Sequence, residues 1–388
     1  MNITHICLCG AVTEELTYQD NLLPKYQKKL GNEVTVITSN WIYNNKGEIV
    51  TTNIGSKTNV DGIKIVRIKC SNTNNYYAKF KQFKDIIYVL DKSEPDFIFI
   101  HGVQFLDLIK ICKYLKNKNI NVVADNHADY SNSGRNFISK HILHGIIWRY
   151  VVQKCDNIIM HYYGVMPARV DFLKERYRLS EHKISYLPMG ADDEEIERVK
   201  DENFKLDMRE RLGIGPENVV LVTGGKIDLA KKQTLLLMKA VKLLNNKNIK
   251  LLIFGSVDES IREDFEALLN NENIIYLGWA NTKQSYDYFS IADVCIFPGR
   301  HSVYWEQVVG MGIPIICKHW EGTTHVNISD NAKFVYRDTV DEWIKILKDN
   351  VMNSNELELL KINAQNIHNK KFTYGEIAKQ SLEYSCRL

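Results

Sequence analysis

The chain has 388 residues, more than one hydrophobic core usually organises, so two domains are expected. With 45% hydrophobic and 25% charged residues it has the composition of an ordinary globular protein, and the formal net charge of +3 points to no partner by itself, with no pronounced basic patch to suggest nucleic acid. The eight cysteines are scattered without CxxC or Cys/His zinc spacing, no apolar run is long enough to span a bilayer, and no leader-like stretch opens the chain; a reducing cytoplasm is the expected setting.

Residues 3–8 form a short apolar strand ending at Gly10, followed by a helix over 19–30 and a strand over 34–38, which together make a βαβ unit. Gly10 alone does not make a dinucleotide fingerprint. Residues 42–62, rich in Asn, Thr, Gly and Lys, predict a loop or hairpin, and 63–68 a strand. An amphipathic helix is expected over 76–90, then strands over 96–100 and 122–125. These last two end in polar residues, His101 and the run Asn126, His127, Ala128, Asp129, at the sheet edge where open α/β folds take ligands. His127 stands out because Asp125, Asn126 and Asp129 surround it, although a lone histidine is often a satisfied structural residue.

Residues 140–154 are apolar almost all round and predict a core-facing helix of the first domain; the other reading is a helix lying in a membrane interface beside a lipid acceptor. A strand over 157–162, a helix over 167–177 and a strand over 184–187 complete that half. The acidic, aperiodic stretch 192–203 predicts the interdomain linker. The pattern then restarts with a helix around 206–212 and strands at 219–223, 251–254 and 274–277. Helices are expected over 234–244, 260–269 and 282–291 and, near the end, over 373–384.

Two loops carry the chemistry of the second half. The first, after strand 219–223, holds Gly224, Gly225, Lys226 and Lys231; glycines permit close backbone approach, and two ammonium groups can neutralise a diphosphate without a metal. It lacks the GxxxxGK[ST] spacing of a Walker A loop, and a merely solvated basic loop is the other reading. The second follows a buried strand over 293–297 that stops at Pro298-Gly299, and it feeds a helix over 303–311 for which Ser302 is the expected N-cap. A helix start at the carboxyl end of a strand suits a phosphate. Glu306, in the first turns, can accept both hydroxyls of a ribose through its two oxygens, or can be only a carboxylate favoured by the helix dipole.

In order and spacing, the first βαβ and the segments PDFIFIHG, DNHAD, ISYLPMGADD, VTGGKIDLAKKQ, LLIFGS and FPGRHSVYWEQ resemble the family 4 glycosyltransferases over nearly the whole chain. The resemblance implies an α/β fold of two Rossmann-like domains facing across a cleft, the GT-B fold. It places an acceptor-side domain at 1–192 plus about 372–388, where a C-terminal helix crosses back, and a nucleotide-sugar-binding domain at 193–371. It implies transfer of a sugar from a nucleoside-diphosphate sugar to a glycan, with a lipid-linked acceptor in surface polysaccharide synthesis, retention of configuration, and neither cofactor nor metal. His127 and Lys231 become catalytic residues. Gly10, Gly225, Lys226, Lys231, Gly299, Arg300, His301, Ser302, Val303 and Glu306 become substrate-binding residues, with Lys226 and Lys231 on the donor diphosphate and Glu306 on the ribose. One departure stands out: Pro298 occupies the position, eight residues before Glu306, where the family usually has a second Glu. The implied partners are the donor, the acceptor and a membrane surface, with no nucleic acid; the implied location is cytoplasmic, with a peripheral position on the inner membrane face left open. A nucleotide-sugar epimerase of the same fold and a non-catalytic carbohydrate-binding protein are the alternatives.

Overall fold

The structure is a computed structural model, and it describes residues 1–14, 16–44, 48–71, 80–229 and 232–385. The chain divides into two compact units, Met1–Pro188 with Tyr374–Leu388, and Met189–Thr373.

In unit 1 the strands are β1 Asn2–Cys7, β2 Glu33–Ser39, β3 Trp41–Tyr43, β4 Ile49–Thr51, β5 Gly55–Thr58, β6 Lys64–Ile68, β7 Phe97–Ile100, β8 Asn121–Asn126, β9 His161–Gly164 and β10 Ile184–Tyr186. Eight of them form one sheet in the order β10-β9-β8-β7-β1-β2-β6-β5, parallel throughout except for β5 against β6, while β3 and β4 pair as a separate antiparallel hairpin. The central strands are apolar along nearly their whole length because helices cover both faces. Ile6, Ile98, Ile100 and Val122 pack into one core and Ile3, Cys7, Phe97, Phe99 and Val123 into the other. The C-terminal helix Tyr374–Ser381 closes the second face, with Tyr374 stacked on Tyr26 of helix Gln19–Lys29 at 6.2 Å between ring centres.

In unit 2 the strands are β11 Val219–Gly224, β12 Ile249–Phe254, β13 Ile274–Tyr276, β14 Val294–Phe297, β15 Ile315–Lys318 and β16 Ala332–Val335. They run in the order β13-β12-β11-β14-β15-β16, with every pair parallel. The strand order therefore reverses between β11 and β14, and the loops leaving those two strands flank a topological switch point.

Three expectations change. Residues 76–79 of the helix expected over 76–90 lie outside the described residues, and the rest is helical only from Ile86, in helix Ile86–Lys92. The stretch 192–203 is not a linker. Asp192 accepts the Glu194 N–H to cap helix Asp193–Arg198, and Asp201 accepts the Asn203 N–H to cap helix Glu202–Arg211, so side-chain caps offset a weak apolar pattern. The Tyr286 hydroxyl also accepts the Asp192 N–H at 2.7 Å and fastens this stretch to unit 2. Finally, the helix expected to face the core over 140–154 is a π-helix, Ile138–Trp148, continuing as α-helix Arg149–Cys155, and it does face the core, through Trp148, Val151, Val152 and Cys155, while it exposes Ile138, Ile142 and Ile146. Being apolar almost all round did not bury it all round, because one side alone packs closely on the rest of the unit. Strand β16 and the helices Val340–Asn350 and Ser354–Ala364 add elements for which the sequence reading made no assignment.

Candidate functional site

The two loops at the switch point of unit 2 meet. Gly224, Lys226 and Ile227 after β11, and Pro298, Gly299, Arg300 and Ser302 after β14, line one recess. The first loop reaches this position because two glycines cross backbone to backbone. Gly225 and Gly255 have φ of 114° and 121°, and a Cβ on Gly255 would lie 1.9 Å from the Gly225 carbonyl oxygen. The second loop is pinned by Trp320, whose indole N–H donates to the Gly299 carbonyl at 3.2 Å. Lys226 is 63% exposed, with its ammonium 3.9 Å from Asp228. The recess thus carries an ammonium and a guanidinium at the carboxyl edge of a parallel sheet, a setting suited to a polyanion. Lys231 lies outside the described residues.

Glu306 sits just behind this loop, fully buried in helix Tyr304–Gly310. Its Oε1 accepts from Nε2 of His301 at 2.8 Å and from Nε2 of His325 at 2.8 Å. Burial pushes the carboxyl up, yet the charges and hydrogen bonds of His301 and His325 outweigh it and hold the group at about 2. Oε2 is buried without a hydrogen-bond partner. The ligand atoms of these three residues lie within 4.8 Å of one another, close enough to share a metal ion. The two 2.8 Å contacts are hydrogen-bond lengths, shorter than the roughly 3.3 Å that separates ligands around a tetrahedral zinc, so as it stands this is a hydrogen-bonded triad.

Two details of the sequence reading are corrected. Ser302 does not cap the helix. The N-cap is Val303, without a side-chain bond, and Ser302 contributes only its carbonyl to the Trp305 N–H at 3.0 Å. Glu306 does not hold two oxygens open for a ribose, since one is already taken by two imidazoles. His325 was not found by sequence reasoning: it lies 19 residues from Glu306, in a 3-10 turn with no motif of its own.

In unit 1 the strand order reverses between β1 and β7. Gly10 lies just past β1, exposed, and a Cβ there would meet nothing within 4 Å, so packing does not require its smallness. Beside it a buried polar chain crosses the sheet. Asp125 of β8 accepts the Gly102 N–H at 2.7 Å and lies 3.2 Å from His101 Nδ1, which is also 3.1 Å from Asp20. His101 Nε2 meets His5 Nδ1 at 2.8 Å, and His5 Nε2 meets Gln27, whose amide donates to Ser381 on the C-terminal helix.

Burial would neutralise His101, but Cys7, Asp125 and Asp20 raise its pKa well above the ordinary range, and burial together with His101 lowers that of His5. The consistent assignment is an imidazolium at His101 donating to a neutral His5. Asp125, buried and yet held low by His127 and His101, is the charged counterpart. His127 Nε2 lies 3.3 Å from its Oδ2. His127 itself is 40% exposed and lines a pocket of about 390 Å³ with Lys81, Gln104, His144 and Trp148, so it is not a core residue.

Residues 204–366 match the family model described as glycosyl transferases group 1. The matched segment lies within unit 2. The recess between its two loops and the Glu306 triad all fall inside the matched segment. A 41.2 kDa protein from the cps region of Klebsiella pneumoniae is 25% identical to this chain over 177 residues, 45% of each chain, so the match spans less than half of that relative's length. Among solved structures, a glycosyltransferase from Rickettsia africae aligns with a TM-score of 0.70 at 13% identity, over 99% of this chain and 97% of that one. Anabaena HepE in complex with UDP aligns with a TM-score of 0.69 at 12% identity, over 99% of both chains. At such identities the likeness establishes the fold, which is the two-Rossmann-domain GT-B class. Among the described residues no helix is long and apolar enough to cross a membrane.

Proposed function

We propose that this chain is a glycosyltransferase that moves a sugar from a nucleoside-diphosphate sugar to a hydroxyl of a glycan during polysaccharide synthesis. The carrying observation is the convergence of the β11 and β14 loops on one recess at the switch point of the glycosyl transferase domain, with Lys226 and Arg300 in its lining. Open α/β sheets bind nucleotides at that place. The HepE structure with UDP, of the same fold, supports a nucleotide donor, and the cps-region relative supports a surface polysaccharide as the product.

In this reading Lys226 and Arg300, with Lys231 from the same loop sequence, hold the donor diphosphate. Breaking the glycosidic bond moves negative charge onto that diphosphate, so fixed cations bind the transition state more tightly than the ground state. Glu306 accepts a ribose hydroxyl through Oε2, the oxygen its histidines leave unpaired. His127 is held at Nε2 by Asp125, which leaves Nδ1 for a sugar hydroxyl. Three cations on the leaving group make transfer metal-independent in this scheme, and we assign it retention of configuration, a lipid-linked acceptor and a cytoplasmic location.

The test is a panel of UDP-, GDP-, ADP- and dTDP-sugars, read by thermal stabilisation and by release of free nucleotide with EDTA present. A ligand at a hundred times its dissociation constant adds about 2.7 kcal/mol, so the correct base should stand out. No stabilisation by any member would overturn the reading, and turnover abolished by EDTA and restored by magnesium would overturn its metal independence.

A further inference from the structure

We propose that the acceptor carries an anionic group, a carboxylate or a phosphate, and that Lys81 binds this group in the unit 1 pocket that His127 lines. The proposal rests on the transferase reading for the presence of an acceptor, and adds the acceptor's charge to it.

The first observation is a cation without a counterion. The Lys81 ammonium donates to the Cys9 carbonyl at 2.6 Å and lies 5.2 Å from the centre of the Trp41 ring. Both partners offer partial negative charge, and neither is an anion. Among the described residues no carboxylate pairs with Lys81, whereas Lys28, Lys118 and Lys183 of the same unit each have one within 3.1 Å. Burial lowers the Lys81 pKa from its ordinary value, as expected of an ammonium taken out of water with no opposite charge to offset the loss. An arriving anion would supply that charge.

The second observation is what surrounds it. No Asp or Glu lines the pocket, which Lys81 shares with His127, Gln104, Asn132, His144 and Trp148. Residues 72–79, just before Lys81 in the chain, contain no acidic residue either. Asp125, the carboxylate behind His127, is fully buried and engaged by His101 and His127. The neutral polar side chains already have protein partners. The Gln104 amide donates to Asn126 at 2.8 Å and to Tyr177 at 3.0 Å, and the Asn132 amide to the His127 carbonyl at 2.7 Å. The two ring nitrogens of His144 meet Tyr177 and Ser133 at 2.8 Å each. Lys81, with one of its three N–H donors on Cys9, has two left for a ligand.

The third observation is place. Cys9 follows β1 and His127 follows β8, so the ammonium on Cys9 and the imidazole stand at the carboxyl edge of one parallel sheet, where open α/β folds hold ligands. An acceptor held by its anion at Lys81 is confined to the pocket that His127 lines, and the charge then contributes to orientation as well as to affinity.

The experiment is a ligand-observed NMR titration of the full chain with methyl glucoside, methyl glucuronoside and glucose 1-phosphate, which share one ring and differ in charge. The nucleoside diphosphate that stabilises the chain most is present throughout, so that the unit 2 recess is filled. Wild type should bind at least one of the two anionic sugars about tenfold or more tighter than methyl glucoside, since a charged hydrogen bond is the difference. Which of the two it prefers tells a carboxylate from a phosphate. Lys81→Gln keeps a donor for the Cys9 carbonyl without the charge, so it should lose the preference, and Lys81→Arg should retain it. Equal binding of charged and neutral sugars by wild type overturns the proposal. So does a preference that survives Lys81→Gln, and a lower melting temperature in that variant would then make Lys81 structural. A Lys81→Gln variant that loses nucleoside diphosphate affinity by the same factor assigns the anion to the donor and overturns the proposal too. Nucleotide binding by wild type keeps the two ideas apart: with it intact, a missing anionic preference removes only the acceptor's charge, whereas its absence removes the transferase reading itself.

Discussion

The two units reverse strand order in the same way, yet they use the resulting sheet edge differently. At the β11/β14 switch point of unit 2 the cations line an accessible recess, with Lys226 63% exposed. At the β1/β7 switch point of unit 1 the charges are spent on one another: His101 is ion-paired with Asp125 and Asp20, and Asp125 Oδ2 also lies 3.3 Å from His127 Nε2. Solvated cations are strong only toward an arriving anion, whereas buried pairs fix geometry before any ligand arrives. In the proposed scheme this difference goes with donor binding in unit 2 and positioning in unit 1.

The largest effect should come from breaking the buried side of that contrast. Asp125→Asn removes the fully buried one of the two carboxylates beside the His101 imidazolium and leaves only the part-exposed Asp20, and we expect a loss of about 3–5 kcal/mol in unfolding free energy, measured by urea titration. A loss below about 1 kcal/mol would mean that Asp20 alone serves as the counterion and that Asp125 does not fix geometry.

Next in size is Glu306→Gln. The native carboxyl is held near 2 against an ordinary value of 4.5. A depressed carboxyl contributes stability that is present above its unfolded value and lost as pH falls through the folded one. The stability gap between wild type and variant should therefore be about 3 kcal/mol above pH 5 and close between about pH 4.5 and 2. At neutral pH the variant should also lose nucleotide affinity by about 1.5–3 kcal/mol, because an amide cannot make a charge-assisted bond to ribose. A gap independent of pH would show that the triad does not depress the carboxyl.

Smaller for stability, though not for rate, is His127→Ala. The ring is partly exposed, so its loss should cost about 1 kcal/mol or less in folding. It should lower kcat/KM by about a hundredfold while leaving the nucleoside diphosphate's dissociation constant unchanged, as expected of a positioning group in the other unit. Steady-state kinetics with calorimetry checks both. Lower melting with intact activity would make His127 structural.

The sheet of each unit was legible in the sequence because buried parallel strands are short apolar runs cut off by Gly, Pro or polar residues, as at Gly10, His101 and Pro298. The β11 and β14 loops were legible for the same reason, since their glycines and cations stand directly after such runs. What could not be read was partnership across distance. His5, Gln27, His101, Asp125 and Ser381 form one polar chain from five separate elements, and no spacing in the sequence announces it. His325 reaches Glu306 from a turn without a pattern, so the carboxylate's occupied oxygen was invisible. The helix through 138–155 was legible as core-facing, but its exposed side was not, because apolar residues almost all round do not show which side packs. The helix at 193–198 was missed, and the one at 202–211 was expected only from about 206, because capping by Asp192 and Asp201, rather than apolar period, defines where they start.

Calorimetric titration of wild type and of Lys226→Ala with Arg300→Ala, using the nucleoside diphosphate that stabilises wild type most, tests most directly whether unit 2's recess is the donor site. Both side chains lie at the recess and neither belongs to the apolar core. The expected result is an unchanged melting temperature without ligand and an affinity weaker by at least about a hundredfold, since each charged hydrogen bond lost is worth about 1.5–3 kcal/mol. Undiminished affinity in the double variant would contradict the assignment of donor binding to the β11/β14 switch point.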